Sequence, residues 1–383
     1  MRFADSPRSS VGIELELYCA DPQTSLLVGS GPDILEIAKH PDVPEHALQR
    51  EYLTNTVEIT SEPRMLVRDA VDDVRTRAGL LLDAADSLGL RLGTSGTHPL
   101  AHWQDQEVDE SVTHYSELLE RTAMIGRQML IWGVHVHVGV EDSAKALPLI
   151  SRLQQYVPLF IALSASSPYW AGEETGYASF RTLVFQQLPQ AGPAPHLSEW
   201  SEFEGLIASM QLAGVITQPS DLKWDIRPSH KYGTIEIRVC DSMSRLEEVA
   251  ALTALIQCTV EYLSRQLDEG VPYAPPPSWL SDENRWSAAR FGLGAILLTP
   301  DGSEMRALTA ELDDLLAVVG PIAEELGCSE ELAEVASIVH SGPGYVRQLA
   351  VNDARAAAQQ VLEEFRVSLG RGGQGTGVNE EQS

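Results

Sequence analysis

His135 and His137 stand two residues apart in GVHVHVGV, and Glu14 and Glu16 stand two apart in VGIELEL. Imidazole and carboxylate are the side chains that bind cations or move protons near neutral pH. Two imidazoles alone fit either a metal site or the polar side of a strand, and three further stretches bear on the choice. EYLTNTVEIT carries Glu51 and Glu58, LKWDIRP alternates Lys223, Asp225 and Arg227 with Leu222, Trp224 and Ile226, and GTIEIRVCD sets Glu236 and Arg238 against Ile235, Ile237 and Val239.

In each stretch the apolar residues take one parity and the chemically loaded residues the other, as in strands with one buried face; Glu51, which begins its stretch, stands outside the alternation. A strand face that merely meets solvent is dominated by Thr, Lys, Ser and Gln. These five supply Glu, His and Arg instead. Carboxylates two apart on a strand lie about 7 Å from each other. Gathered on one surface they repel, and a divalent cation is the usual physical remedy. A donor set rich in carboxylate, with one or two imidazoles and no thiolate, favours Mg²⁺ or Mn²⁺ over zinc.

Arginine on the same face adds a second inference. A guanidinium grips phosphate or carboxylate with two parallel hydrogen bonds, and metal plus arginine neutralises the charge of a transferring phosphoryl group. A nucleoside triphosphate, ATP, is the simplest ligand that satisfies both. No G-x-x-x-x-G-K-[ST] loop is present, and GTSG at 93–96 and GLG at 292–294 are too short to cradle phosphates. The nucleotide would therefore be held by metals and arginines on a sheet. Arg181, Arg227 and Arg290 could each bind a substrate carboxylate or a phosphate: Arg181 and Arg227 are taken as substrate contacts and Arg290 as a nucleotide contact. Trp103, Tyr115 and His98 are expected in structural roles.

Such a surface needs five strands in one sheet, with helices packed on the apolar side. Helical three-four spacing runs through 63–88 and recurs near 114–131, 143–165, 246–268, 308–326 and 344–368. The chain is expected to form a single domain over 1–369, with 272–369 as a candidate C-terminal helical lobe after the proline-rich 273–277. GRGGQGTGVNEEQS, 370–383, reads as a disordered tail with almost nothing to bury. The 383 residues carry a formal charge of −28, which disfavours nucleic acid and anionic membrane surfaces as partners. The N-terminus lacks a signal-peptide pattern and no run approaches the roughly 20 apolar residues of a membrane span, so a cytoplasmic location is expected. Cys19, Cys240, Cys258 and Cys328 are scattered, and buried free thiols are expected.

Together VGIELEL, EYLTNTVEIT, GTHP (96–99), GVHVHVGV, PLFIALSASSPYW, DLKWDIRP, GTIEIRVCD and ENRWSAARFG resemble the carboxylate-amine ligases related to type 2 glutamate-cysteine ligase, in order and over nearly the whole chain. The resemblance implies an α+β fold shared with the catalytic domain of glutamine synthetase: a mostly antiparallel, funnel-shaped sheet of about six strands, with helices on its outer face. It implies ATP and two or three Mg²⁺ or Mn²⁺ ions inside the funnel. Glu14, Glu16, Glu51, Glu58, His135 and Glu236 would then be metal ligands, and the catalytic pair His137 and Arg238 would contact the ATP phosphates. The implied reaction joins a carboxylate, the γ-carboxylate of L-glutamate, to L-cysteine or another amine through an acyl phosphate. Its partners are small molecules, and a homo-oligomer is compatible with the sequence. Two other readings stay open at this point: a metal-dependent hydrolase, and a non-catalytic nucleotide-binding homologue.

Overall fold

Val11, Ile13, Leu15 and Leu17 are buried on one side of strand β1 (Val11–Ala20), and Gly12, Glu14 and Glu16 face the other way. This alternation organises the whole molecule, a computed structural model that describes residues 1–371. The tail expected from 370 lies, from residue 372 onward, outside the described residues.

Four more strands follow in the first part of the chain or near it: β2 (Leu48–Arg50), β3 (Thr56–Thr60), β4 (Arg91–Gly93) and β5 (Val134–Gly139). A two-residue hairpin, β6 (Tyr169–Trp170) with β7 (Glu173–Glu174), precedes β8 (Ile226–Ser229) and β9 (Thr234–Ile237), and a second hairpin pairs β10 (Ile296–Leu298) with β11 (Met305–Ala307). Seven strands form one open antiparallel sheet in the order β2-β3-β1-β5-β9-β8, with β4 pairing the distal end of β1. The fold is α+β, as expected, with seven strands where about six were foreseen.

Helices cover the apolar side. Val67–Ser87 packs on β1 and β4 through the spacing read from the sequence, burying Val67, Ala70, Val74, Ala78, Leu81 and Leu82. It starts later than Pro63 because Val11 and Arg64 exchange backbone hydrogen bonds of 2.7 and 2.8 Å, which keep the preceding segment extended. Leu246–Asp268 is the central helix, contacting Val67–Ser87, Ser143–Leu153, Leu308–Leu326 and Ser329–Ser341. One apolar cluster is continuous from Val11 to Phe365 and includes Leu308, Leu315, Cys328 and Val335 from the C-terminal helices. All four cysteines are buried and free.

Four local expectations are corrected. The helix foreseen over 143–165 is broken into Ser143–Leu153, a tight turn at Gln154–Tyr156, and Val157–Ser164. Pro158 has no N–H to donate back to Gln154, so the turn tightens there. Its residues Ser143–Ser164 are long and apolar enough to cross a membrane, contrary to the reading that no such run exists, but 78% of the stretch is buried inside this fold. The strand read through LKWDIRP is confined to Ile226–Ser229, because Asp225 turns inward to Arg285, with contacts of 2.6 and 2.9 Å. Glu51 lies in the connection between β2 and β3, not on a strand.

Candidate active site

Strand register lays the chemically loaded residues out in rows across the sheet. Gln49 on β2 pairs with Glu58 on β3, and Glu58 pairs with Glu16 on β1. Glu14 pairs with His135 on β5 in the next row. In a third row, Gly12, His137, Glu236 and Arg227 follow one another across β1, β5, β9 and β8. All but Gly12 line a cavity of about 460 Å³, together with Glu51, Arg181, Lys223 and Arg238. That volume suits a small-molecule substrate or cofactor.

Hydrogen bonds tie the rows together. Glu14 bridges both imidazoles, with Oε2 2.9 Å from His135 Nδ1 and Oε1 3.0 Å from His137 Nε2, while His137 Nδ1 meets Thr234 Oγ1 at 2.9 Å. Glu16 accepts from the backbone N–H of Gly133 at 2.5 Å. A Cβ at Gly133 would meet the Arg181 guanidinium, so a larger residue there would push that side chain aside. Glu236 is gripped from two sides: Arg227 Nε donates to Oε2 at 2.6 Å, and Arg238 Nη1 donates to Oε1.

The carboxylates divide into two electrostatic groups. Burial pushes Glu58 well above the usual carboxylate range, reinforced by the charges of Glu14 and Glu51. Glu16 is raised to about 7 by burial and by Glu51, and burial also raises Glu51. Glu14 behaves oppositely: burial opposes its ionisation, yet the charge of His137 and hydrogen bonds from both imidazoles hold it well below the usual range. Glu236 is likewise depressed against the cost of burial, by Arg227 and Arg238. Burial lowers His135 to about 4, whereas the carboxylates of Glu14 and Glu236 overcome burial and raise His137.

Three sets of donor atoms lie close enough to share a cation: Glu14 with His137 and Glu236, Glu14 with Glu58 and His135, and Glu16 with Glu51 and Glu58, each within 4.8 Å of one another. Glu14 and Glu58 each belong to two sets. Oxygen-rich sets of this kind fit Mg²⁺ or Mn²⁺ by their chemistry. Beside them, the Nε atoms of Arg181 and Arg238 are buried without a hydrogen-bond partner among the described residues. Arg181 spends its Nη atoms on the carbonyls of Val239 and Arg238, at 3.2 Å each.

Comparison with known proteins is decisive about ancestry. The family model described as Glutamate-cysteine ligase family 2 (GCS2) matches residues 10–364. The chain belongs to this family. A protein of Clavibacter sepedonicus named "Putative glutamate--cysteine ligase 2" is 46% identical over 374 residues, covering 96% of this chain and 97% of that protein. A protein of the same name from Leifsonia xyli subsp. xyli is 43% identical over 377 residues, covering 97% and 99%. The crystal structure of glutamate-cysteine ligase from Francisella tularensis in complex with AMP shares the fold, with a TM-score of 0.68 over 98% of this chain and 91% of that one at 12% identity.

In this member of glutamate-cysteine ligase family 2, the cavity wall brings together Glu14, Glu16, Glu51, Glu58, His135, His137, Arg181, Arg227, Glu236 and Arg238. Arg290 is the exception and corrects the expectation of a nucleotide contact: it is not on the wall, and its guanidinium lies over the rings of Tyr177 and Phe291 at 5.3 and 5.0 Å. Arg227 is on the wall, and four of its five N–H donors go to Glu236 and to the carbonyls of Ser220 and Leu222, so it holds Glu236 in place. His137 faces Glu14 and Glu236 closely enough to join them in a set of donors that could hold a cation.

Some wall residues were not nominated from the sequence. Lys223 is one: its ammonium makes no ion pair among the described residues, and burial together with Arg238 and Arg227 lowers it to about 8. Its alternation with Leu222 and Trp224 was the available signal. Tyr115, expected in the core, lines the cavity and donates to the carbonyl of Arg50 at 3.2 Å, and His114 lies beside it. Both come from helix Thr113–Thr122, whose periodicity says nothing of the sheet it overhangs. His98 is a buried turn residue whose Nδ1 accepts from the backbone of Leu100 and Ala101. Trp103 is half-buried against the cluster around Tyr18 and Trp132.

Proposed function

We propose that this protein is an ATP-dependent ligase that joins a carboxylate to an amine, with the γ-carboxylate of L-glutamate as donor and L-cysteine or another amino compound as acceptor. The observation that carries this reading is the overlap of three cation-competent donor sets with two arginines whose Nε donors are unspent. A hydrolase needs a metal and a base to activate water; arginines beside the cation sites add a means of neutralising phosphate, which a nucleotide-dependent ligase requires. The names of the relatives and the AMP bound to the Francisella tularensis ligase support the same reading.

Glu14, Glu16, Glu51, Glu58, His135, His137 and Glu236 would hold Mg²⁺ or Mn²⁺. When bound, such ions neutralise phosphate oxygens as Lewis acids. The side chains themselves orient and stabilise. Arg238 and Arg181 present donors to developing negative charge, worth more in a buried site than in water. Arg227 fixes Glu236, which in turn fixes Arg238. In the proposed reaction, an oxygen of the donor carboxylate attacks the γ-phosphorus of ATP and ADP leaves. The acceptor nitrogen then attacks the acyl carbon, loses a proton and expels inorganic phosphate. Holding both substrates in line supplies much of the acceleration.

Oxygen-18 in the donor carboxylate tests this sequence of steps. One labelled oxygen should appear in the released phosphate for each amide formed. Unlabelled phosphate accompanying amide formation would exclude the acyl phosphate.

A further inference from the structure

A small annex of about 70 Å³ adjoins the main cavity, and His114, Leu118, Leu188 and Lys223 belong to both walls. Two polar atoms there, Lys223 Nζ and Asp221 Oδ1, have no hydrogen-bond partner among the described residues. Lys223 makes no side-chain hydrogen bond or ion pair among the described residues, and it stands where the two spaces meet. Asp221, on the annex wall, uses only one oxygen: Oδ2 accepts from Thr217 N and Oγ1, both at 2.7 Å, and from Gln218 N at 3.0 Å. Its Oδ1 is buried with no hydrogen-bond partner among the described residues, and His114 Nε2 is 3.8 Å away. Such a buried acceptor costs free energy unless a ligand satisfies it.

We infer that the annex is the acceptor subsite: Lys223 pairs with the carboxylate of an α-amino acid, whose short side chain lies between Leu118 and Leu188 and donates a hydrogen bond to Asp221 Oδ1. The inference rests on the ligase reading and deepens it. A carboxylate held at the junction leaves the α-nitrogen free to face the main cavity, where the acyl group would form. The annex is too small for a large side chain, and its apolar walls with one waiting acceptor select a terminal O–H, S–H or N–H. A site built around such a hydrogen bond rejects the analogue that lacks the donor.

The test pairs substrate truncation with residue truncation, using Mg-ATP and saturating L-glutamate. Wild-type protein should use L-serine or L-cysteine at least about tenfold better in kcat/KM than ethanolamine or cysteamine, which lack the carboxylate, and better than 2-aminobutyrate, which lacks the donor. Lys223→Met should raise KM for the amino acids about tenfold, leave KM for ATP unchanged, and abolish the preference over the decarboxylated amines. Leu118→Trp, which fills the annex, should depress use of the amino acids with ATP affinity intact. A preference that persists in Lys223→Met, or full activity in Leu118→Trp, would overturn the inference. If wild-type protein makes no amide with any acceptor, the ligase reading fails on its own. Calorimetric titration of L-serine and ethanolamine into wild type and Lys223→Met then reads the same preference without turnover, and equal binding of both compounds to both proteins would refute the subsite.

Discussion

Glu16 and Glu58 face each other across adjacent strands, and Glu51 closes the group. Burial, reinforced by like charges opposed in the sheet, raises all three above the usual carboxylate range, Glu58 well above it. The sign of the pH dependence follows. A carboxyl raised in the folded state contributes stability that is complete at low pH and is lost as pH rises through the folded value, about 7 for Glu16. Glu14 and Glu236 are depressed and contribute in the opposite sense, present above the usual range and lost only in strong acid. Because a cation competes with protons at Glu16 and Glu58, Mg²⁺ should raise the Tm more at about pH 8 than at about pH 5.5. Equal shifts by scanning calorimetry at both pH values would contradict this. The same substitution should also act oppositely at two sites. Glu16→Gln relieves repulsion and should raise the metal-free Tm, while Glu236→Gln strands Arg227 and Arg238 and should cost about 3–5 kcal/mol in urea unfolding. Both should abolish turnover.

Among the elements, what was legible in the sequence depended on whether the partners of a residue were local. The alternation in VGIELELYC placed Glu14 and Glu16 correctly on one face, because β1 is flanked by paired strands and buried evenly on its apolar side. Alternation in GVHVHVGV did the same for His135 and His137. LKWDIRP carried an equally regular pattern, yet Asp225 left it for Arg285, a partner 60 residues away that no local period reveals. Arg290 was misread for the converse reason: its place in ENRWSAARFG gave no clue that its guanidinium stacks on Tyr177. Asp225 and Arg285 are both buried and paired through two hydrogen bonds, and they anchor the segment that leads to Lys223 and Arg227. Arg285→Met leaves a buried carboxylate uncompensated, so urea unfolding should show a loss of about 3–5 kcal/mol. Replacing both partners by apolar residues should recover much of that loss, and a double variant as unstable as the single one would contradict the pairing argument.

For the molecule as a whole, helices Ser278–Phe291, Leu308–Leu326, Ser329–Ser341 and Ala354–Ser368 share one apolar cluster with the sheet. Cooperative unfolding should follow, with tryptophan fluorescence and far-ultraviolet circular dichroism reporting coincident urea transitions; two separated transitions would argue for an independent C-terminal lobe. The wide spacing of the chemically loaded strands, from residue 11 to 239, is what one sheet converts into a single cavity. ATP-driven amide formation is the reaction proposed for that cavity. The most direct measurement is product analysis by mass spectrometry after incubation with Mg-ATP, L-glutamate and a panel of amines, with ADP quantified in parallel. The account predicts one ADP per amide, formed only when carboxylate and amine are both present. ADP released at the same rate without the carboxylate, or phosphate released from a substrate without ATP, would contradict it.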